Sequence, residues 1–270
     1  MRAAALFTII LLGCGGLSAQ RLHFSPVQRN DILQRVKNPP ATTQGREQFL
    51  KDLFQRSGCD GQNLEEQRPA NQEQPNLICR LPGQSDDAVI IGAHYDLAVS
   101  NRRPIDNWTG AVLLPALFEC LRNRKRQHTF IFVAFADKGA ELQGAEFFAA
   151  HLPAAELAHI KAMVNLDALG LSPTKVWTAH SDRDLVQALL HTVYAMKLPA
   201  SQIDIEAAGP TDSQPFASRN IPQITIHSMT QQNLLSGTAS AFRAGNYYDS
   251  YRLVCGYVAF LDTQKTRPRG

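Results

Sequence analysis

Apolar and polar positions along the chain switch between helical and extended spacing. From Asp31 to Gln55 the apolar residues recur at helical intervals. A Gln/Asn/Pro-rich stretch follows to Pro75, with no domain-sized change of composition. "NLICRLPG" and "AVIIGAHYD" then read as strands, the second an unbroken apolar run of the kind buried on both faces. "NWTGAVLLPALFECLR" has helical spacing, "TFIFVAF" is another buried strand, and "AELQGAEFFAAHL" is a helix. "AMVNLDALG" and "KVWTAH" read as strands, and "DRDLVQALLHTVYAM" as a helix. "IPQITIHSM" is a last strand, "SYRLVCGYVAFLDT" a C-terminal helix, and "KTRPRG" a frayed tail. Strands that alternate with helices predict an α/β fold with a mostly parallel sheet covered on both faces.

The first residues stand apart from that pattern. "MRAAALFTIILLGCGGLSAQ" places Arg2 before an apolar run to Leu12 and then small residues, the layout of an export signal too short to span a membrane. Two processing sites compete. "LSA" before Gln20 suits signal peptidase, and "LLGC" resembles a lipobox with Cys14 as the lipidated residue. Plain secretion is preferred, with residues 1–19 as the signal and 20–270 as a single domain. The destination is extracellular or periplasmic, with a membrane-anchored lipoprotein as the alternative.

Composition narrows the partners. With 270 residues, 44% of them hydrophobic, the chain is long enough for one full core. A balance of 27 basic against 24 acidic residues gives no polyelectrolyte signal, so nucleic acid is not an expected partner. The basic run "RNRKRQ" reads as a solvated helix end whose cations suit the dipole. Cys59 and Cys79 flank a polar loop and are candidates for a disulfide in an oxidising compartment, worth roughly 3 kcal/mol. Cys120 and Cys255 lie on apolar helical faces as buried thiols, and neither has metal-site spacing.

In parallel sheets of this kind the ligand site lies beyond the carboxyl ends of the strands. The polar residues there are His94, Tyr95 and Asp96 after "VIIGA", Asp137 and Lys138 after "FVAFA", and Asp167 after "VNL". His180 follows "VWTA", His227 follows "ITI", and Asp106 opens the helix at "DNWTG". His94, Asp106 and Asp167 form one imidazole and two carboxylates, a set suited to zinc with a position left for water. Asp96 can orient a ligand from behind. Asp106 or Asn107 also has a plain structural use as a helix cap.

These segments resemble the zinc aminopeptidase family (metallopeptidase family twenty-eight), which also includes glutaminyl cyclases. The matching stretches are "GAHYD", "DNWTG", "VNLDALG", "TDSQPF" with "IPQITI", and the passage "FADKGAELQG", from about Val89 to Asp262. The resemblance implies a three-layer, zinc-exopeptidase-like fold and hydrolysis of peptide or protein N-termini. It implies Asp106 as the residue bridging two zinc ions, His94 and Asp167 as ligands of the first, and Asp96 as the acid after the metal histidine.

The chain departs from that pattern at the second metal. Aligned on Leu142 and Gly144, the family's Glu-Glu pair falls on Lys138 and Gly139, so the general base and a ligand are replaced. The Ser-Asp-His stretch reads Thr211-Asp212-Ser213, and where a late histidine is expected the chain offers Tyr247, Tyr248 and Asp249. Asp137, Glu141, His180 and His227 are the remaining candidates for a substitute base or ligand, each with an ordinary core or surface role as its alternative. One zinc is expected rather than two, or none, with the Lys138 ammonium standing in for the lost cation. Three functions follow from the resemblance: an exopeptidase with impaired activity, a single-zinc cyclase-like acyltransferase, and a catalytically inactive peptide- or partner-binding relative.

Overall fold

Every residue of Ala88–His94 is buried, as expected of a central strand with an unbroken apolar sequence. The computed structural model describes residues 7–11, 20–68, 73–97, 107–136, 142–204, 210–230 and 241–264. Its strands are β1 (Phe7–Leu11), β2 (Gln20–Phe24), β3 (Leu64–Gln67), β4 (Asn76–Leu81) and β5 (Ala88–His94). They continue as β6 (Thr129–Phe135), β7 (Ile160–Asp167), β8 (Thr174–Val176), β9 (Ala200–Gln202) and β10 (Gln223–His227). The α-helices are α1 (Arg29–Val36), α2 (Thr43–Arg56), α3 (Trp108–Ala111), α4 (Leu113–Arg122) and α5 (Gln143–Ala150). After them come α6 (Ala154–Leu157), α7 (Arg183–Met196), α8 (Gln214–Ala217) and α9 (Ala244–Leu261).

Eight strands form one sheet in the order β3-β4-β6-β5-β7-β10-β8-β9. The block β6-β5-β7-β10 is parallel throughout. Its flanks, β3 and β4 on one side and β8 on the other, run antiparallel to their inner neighbours. Successive side chains of a strand point to opposite faces. Val89, Ile91 and Ala93 therefore join the large core under α2, α4, α7 and α9. Ile90 joins Ile131, Val133 and Met163 in a smaller core under α5 and α8. This is the expected three-layer α/β arrangement.

Several elements differ from the pattern-based expectation, each for a local reason. The helix expected from Asp31 to Gln55 is two helices, because Asn38 turns left-handed (φ 54°) ahead of two prolines that cannot continue α1. Thr42 then caps α2 by accepting the Gly45 N–H at 3.0 Å. The loop running to Pro75 contains β3, a polar edge strand whose "LEEQ" carries one apolar residue. "KVWTAH" is a strand only to Val176, after which Thr178–His180 is a 3₁₀ turn.

Cys59 and Cys79 form the expected disulfide, joining the end of α2 to β4 across a Cα separation of 6.3 Å. Cys120 and Cys255 are buried free thiols. Phe7–Leu11, within the proposed export signal, pairs antiparallel with Gln20–Phe24 as a separate two-stranded sheet. Among the described residues no helix is long and apolar enough to cross a membrane.

The C-terminal helix is fastened to the amino end of β6 by Asp262. Its Oδ1 accepts the backbone N–H groups of Gln127 and His128 at 2.9 and 2.8 Å, and Oδ2 meets Arg124 at 2.5 Å. Burial opposes the charge on this carboxylate, but the bonds from His128 and the Arg124 cation outweigh it and hold the group below its ordinary pKa. A depressed carboxylate stabilises the fold fully above its unfolded pKa, near 3.9, and that contribution is lost as pH falls through the folded value. Asp262→Ala is expected to lower unfolding free energy by about 3–5 kcal/mol in urea at pH 7. The difference from wild type should shrink in acid below about pH 3.9.

Candidate metal centre

Parallel register sets the site. β5 and β7 pair with Gly92 opposite Asn165, and β7 and β10 pair with Asp167 opposite His227. Two residues beyond the first pair the strands end at His94 and Asp167, so both side chains emerge on one face at the carboxyl edge. His94 and Asp167 are 2% and 3% exposed, too little for water to screen their interaction.

The imidazole is held from behind. His94 Nδ1 lies 3.1 Å from Asp96 Oδ1. An ionised carboxylate only accepts, so the Nδ1 proton belongs in that bond, and as a metal ligand the ring would present its Nε2 lone pair. Nε2 faces Asp167 Oδ1 at 3.9 Å. That is too long for a hydrogen bond. Zinc bonds of about 2.0–2.2 Å to each atom can span it. The two atoms therefore fit a shared cation. Among the described residues no group of three His, Cys, Asp or Glu side chains completes a metal site, and Asp106 lies outside the described residues.

The residue after Asp106 ties that segment to Asp167. Asn107 Nδ2 donates to the Leu166 carbonyl at 2.6 Å, and its Oδ1 accepts the N–H groups of Ala168 (2.9 Å) and Gly110 (3.0 Å). One amide thus grips the backbone on both sides of Asp167 while capping α3, so the cap expected at this motif is Asn107. Gly110 is required by the same closeness, since a Cβ there would lie 2.6 Å from the Leu166 oxygen. Thr109 Oγ1 accepts the Leu169 N–H at 2.9 Å, and Ser228 Oγ donates to the Ala168 carbonyl. These bonds hold Ala168 in a left-handed conformation (φ 47°) that a non-glycine residue rarely adopts.

The other candidates divide by position. Asp212 is buried between Thr211 and Ser213, whose hydroxyls bond each other at 2.8 Å, and Ser213 bonds Thr225 at 2.9 Å. His227 is fully buried, and its Nδ1 accepts the Met229 N–H at 3.2 Å. Burial pushes its pKa down to about 4 despite the nearby Asp167 charge, so the ring is neutral at pH 7. His180 is exposed and meets Trp177 edge to face, with the ring planes at 89°. Because β8 runs antiparallel to β10, His180 lies at the amino end of β10, where Gln223 Nε2 donates to its carbonyl. It is therefore at the edge opposite His94 and not in a common cleft. Tyr248 points its hydroxyl toward the Val27 carbonyl (3.4 Å), and Asp249 pairs with Arg252 at 3.8 Å. Neither contact belongs to the His94–Asp167 group. Asp137, Lys138 and Glu141 lie outside the described residues.

One residue had no signal in the sequence. Arg46 of α2 is fully buried, and its Nη1 donates to the carbonyls of Tyr95 and Asp96 at 3.2 and 2.9 Å. It occupies a polar helical stretch far from any motif.

Comparison with known proteins agrees with this architecture. The family model described as Peptidase family M28 matches residues 76–251, and the chain belongs to that family. It is 29% identical over 150 residues to leupeptin-inactivating enzyme 1 of Streptomyces exfoliatus, a match covering 54% of this chain and 34% of that protein. The chain thus spans about a third of that curated relative's length. Among solved structures, the LapA aminopeptidase of Legionella pneumophila superimposes with a TM-score of 0.74 at 16% identity, covering 88% of this chain and 73% of that one. BSAP, a zinc aminopeptidase from Bacillus subtilis, gives 0.63 at 19% identity over 73% and 52% of the two chains. An Acidobacteriales bacterium glutaminyl cyclase gives 0.71 at 19% identity over 92% and 99%. At these identities the structural likeness establishes the fold.

Replacing Asn107 by alanine leaves one buried carbonyl and two N–H groups without their described side-chain partner. Asn107→Ala is expected to cost on the order of 3 kcal/mol in urea unfolding. Asn107→Asp should not restore stability, because a carboxylate cannot donate to Leu166.

Proposed function

We propose that this chain is an exported member of family M28 that holds at most one zinc and whose peptidase activity is impaired or absent. The carrying observation is the buried His94 group: Nδ1 against Asp96, and Nε2 facing Asp167 at 3.9 Å. That arrangement keeps one half of a two-metal site. His94, Asp106 and Asp167 would hold the ion, with Asp96 fixing the imidazole. A zinc there supplies Lewis acidity toward the carbonyl of an N-terminal peptide bond.

The chemistry lacks a proton acceptor. Lys138 occupies the family's general-base position, and an ammonium beside carboxylates stays protonated and can only donate. Gly139 supplies no ligand, and no histidine follows His227 to complete a second metal. The Lys138 cation takes over part of the missing metal's charge. The export signal expected at residues 1–19 and the Cys59–Cys79 disulfide support an extracellular or periplasmic protein.

A one-zinc acyltransferase resembling glutaminyl cyclase is the second reading. It is favoured by the near-complete overlap with the Acidobacteriales structure and opposed by Gly139, which replaces a glutamate of that zinc set.

The test is hydrolysis of aminoacyl-4-nitroanilides by wild type and by Lys138→Glu. General-base catalysis contributes roughly 10²–10⁴-fold, so wild type should be slow or inactive and Lys138→Glu should gain at least about 100-fold. A fast wild type that Lys138→Glu does not improve would overturn the reading.

A further inference from the structure

The strand end carrying His94 is fastened by a segment that precedes the family match at residues 76–251. Arg46, in the first turns of α2, is fully buried. Its Nη1 donates to the Tyr95 carbonyl at 3.2 Å and the Asp96 carbonyl at 2.9 Å, and its Nε reaches the Pro40 carbonyl at 3.4 Å. The guanidinium carbon lies 5.4 Å from the centre of the Trp108 ring, which packs in turn on Phe49 of the same helix. Thr43, one turn earlier, accepts the Leu97 N–H at 3.4 Å.

Burying a permanent cation is costly unless its donors are satisfied, and here main-chain carbonyls accept from it. A single terminal nitrogen, Nη1, bridges two consecutive carbonyls immediately after His94, and the flat face of the guanidinium covers Trp108, the residue next to Asn107. One side chain thus fixes the turn that presents Asp96 to His94 and packs against the segment that follows Asp106. An apolar side chain of similar length, such as methionine, could fill the space but has no donor for either carbonyl.

We propose that Arg46 is a positioning residue of the metal centre: it holds the Tyr95–Asp96 backbone so that Asp96 fixes the His94 ring with Nε2 directed at Asp167. The metal part of this inference rests on the single-zinc reading, whereas the orientation of the ring does not. Loss of the clamp should release the His94 proton from Asp96 and weaken metal binding while the sheet persists.

The experiment compares wild type with Arg46→Met and Arg46→Lys by two readouts. In metal-free protein, ring ¹⁵N shifts report which His94 nitrogen carries the proton. With Co²⁺ or Zn²⁺ added, competition with a chelator gives the affinity. Arg46→Met should move the His94 shifts toward those of a solvent-exposed histidine and weaken metal binding about 10–100-fold, the usual effect of removing a residue behind the ligands. Arg46→Lys keeps the charge and should fold even if the methionine variant does not. Lacking the flat guanidinium that packs on Trp108, it should show a smaller change in the same direction. His94 shifts and metal affinity unchanged in a folded variant would overturn the proposal. If wild type binds no metal but the His94 shifts move as expected, the clamp stands and the zinc reading fails.

Discussion

The position of one proton determines what this site can hold. With the Nδ1 proton committed to Asp96 at 3.1 Å, His94 can offer a lone pair at Nε2 toward the Asp167 carboxylate, both side chains being almost fully buried. Two electron-rich atoms 3.9 Å apart in such a place favour a cation between them. The surrounding structure serves to keep that geometry. Parallel register aligns the ends of β5 and β7, Asn107 grips the backbone on both sides of Asp167, and Arg46 grips the backbone after His94.

The same electrostatics link the losses at the second metal. Two metals in the family pattern neutralise several carboxylates at once. On the proposed reading, a chain without the Glu-Glu pair and the late histidine would not hold the second ion, and its remaining acids would then repel one another. On the same reading, a lysine at position 138 would relieve that repulsion but could not accept a proton while charged. In this account, losing the base and losing the second cation are one change.

Much of the fold was legible in the sequence because β5, β6, β7 and β10 are buried on both faces and read as apolar runs. Their carboxyl ends pointed to His94 and Asp167 for the same reason. Strand direction is not written in such runs, which is why His180 was grouped with the site although antiparallel β8 carries it to the opposite edge. β3 was hidden because an edge strand need not be apolar. Arg46 was hidden because a buried guanidinium bound to main-chain carbonyls has no partner that a sequence pattern can name. His227 stood out as a strand-end imidazole, but only the structure shows that burial keeps it neutral and that Met229 occupies its Nδ1.

The most direct measurement of the central claim is the zinc content of the full-length purified protein after saturation with zinc and removal of loosely bound ion. The account predicts at most one zinc per chain, lost in His94→Ala, with none retained at a second position. Two tightly bound zinc ions per chain would contradict it.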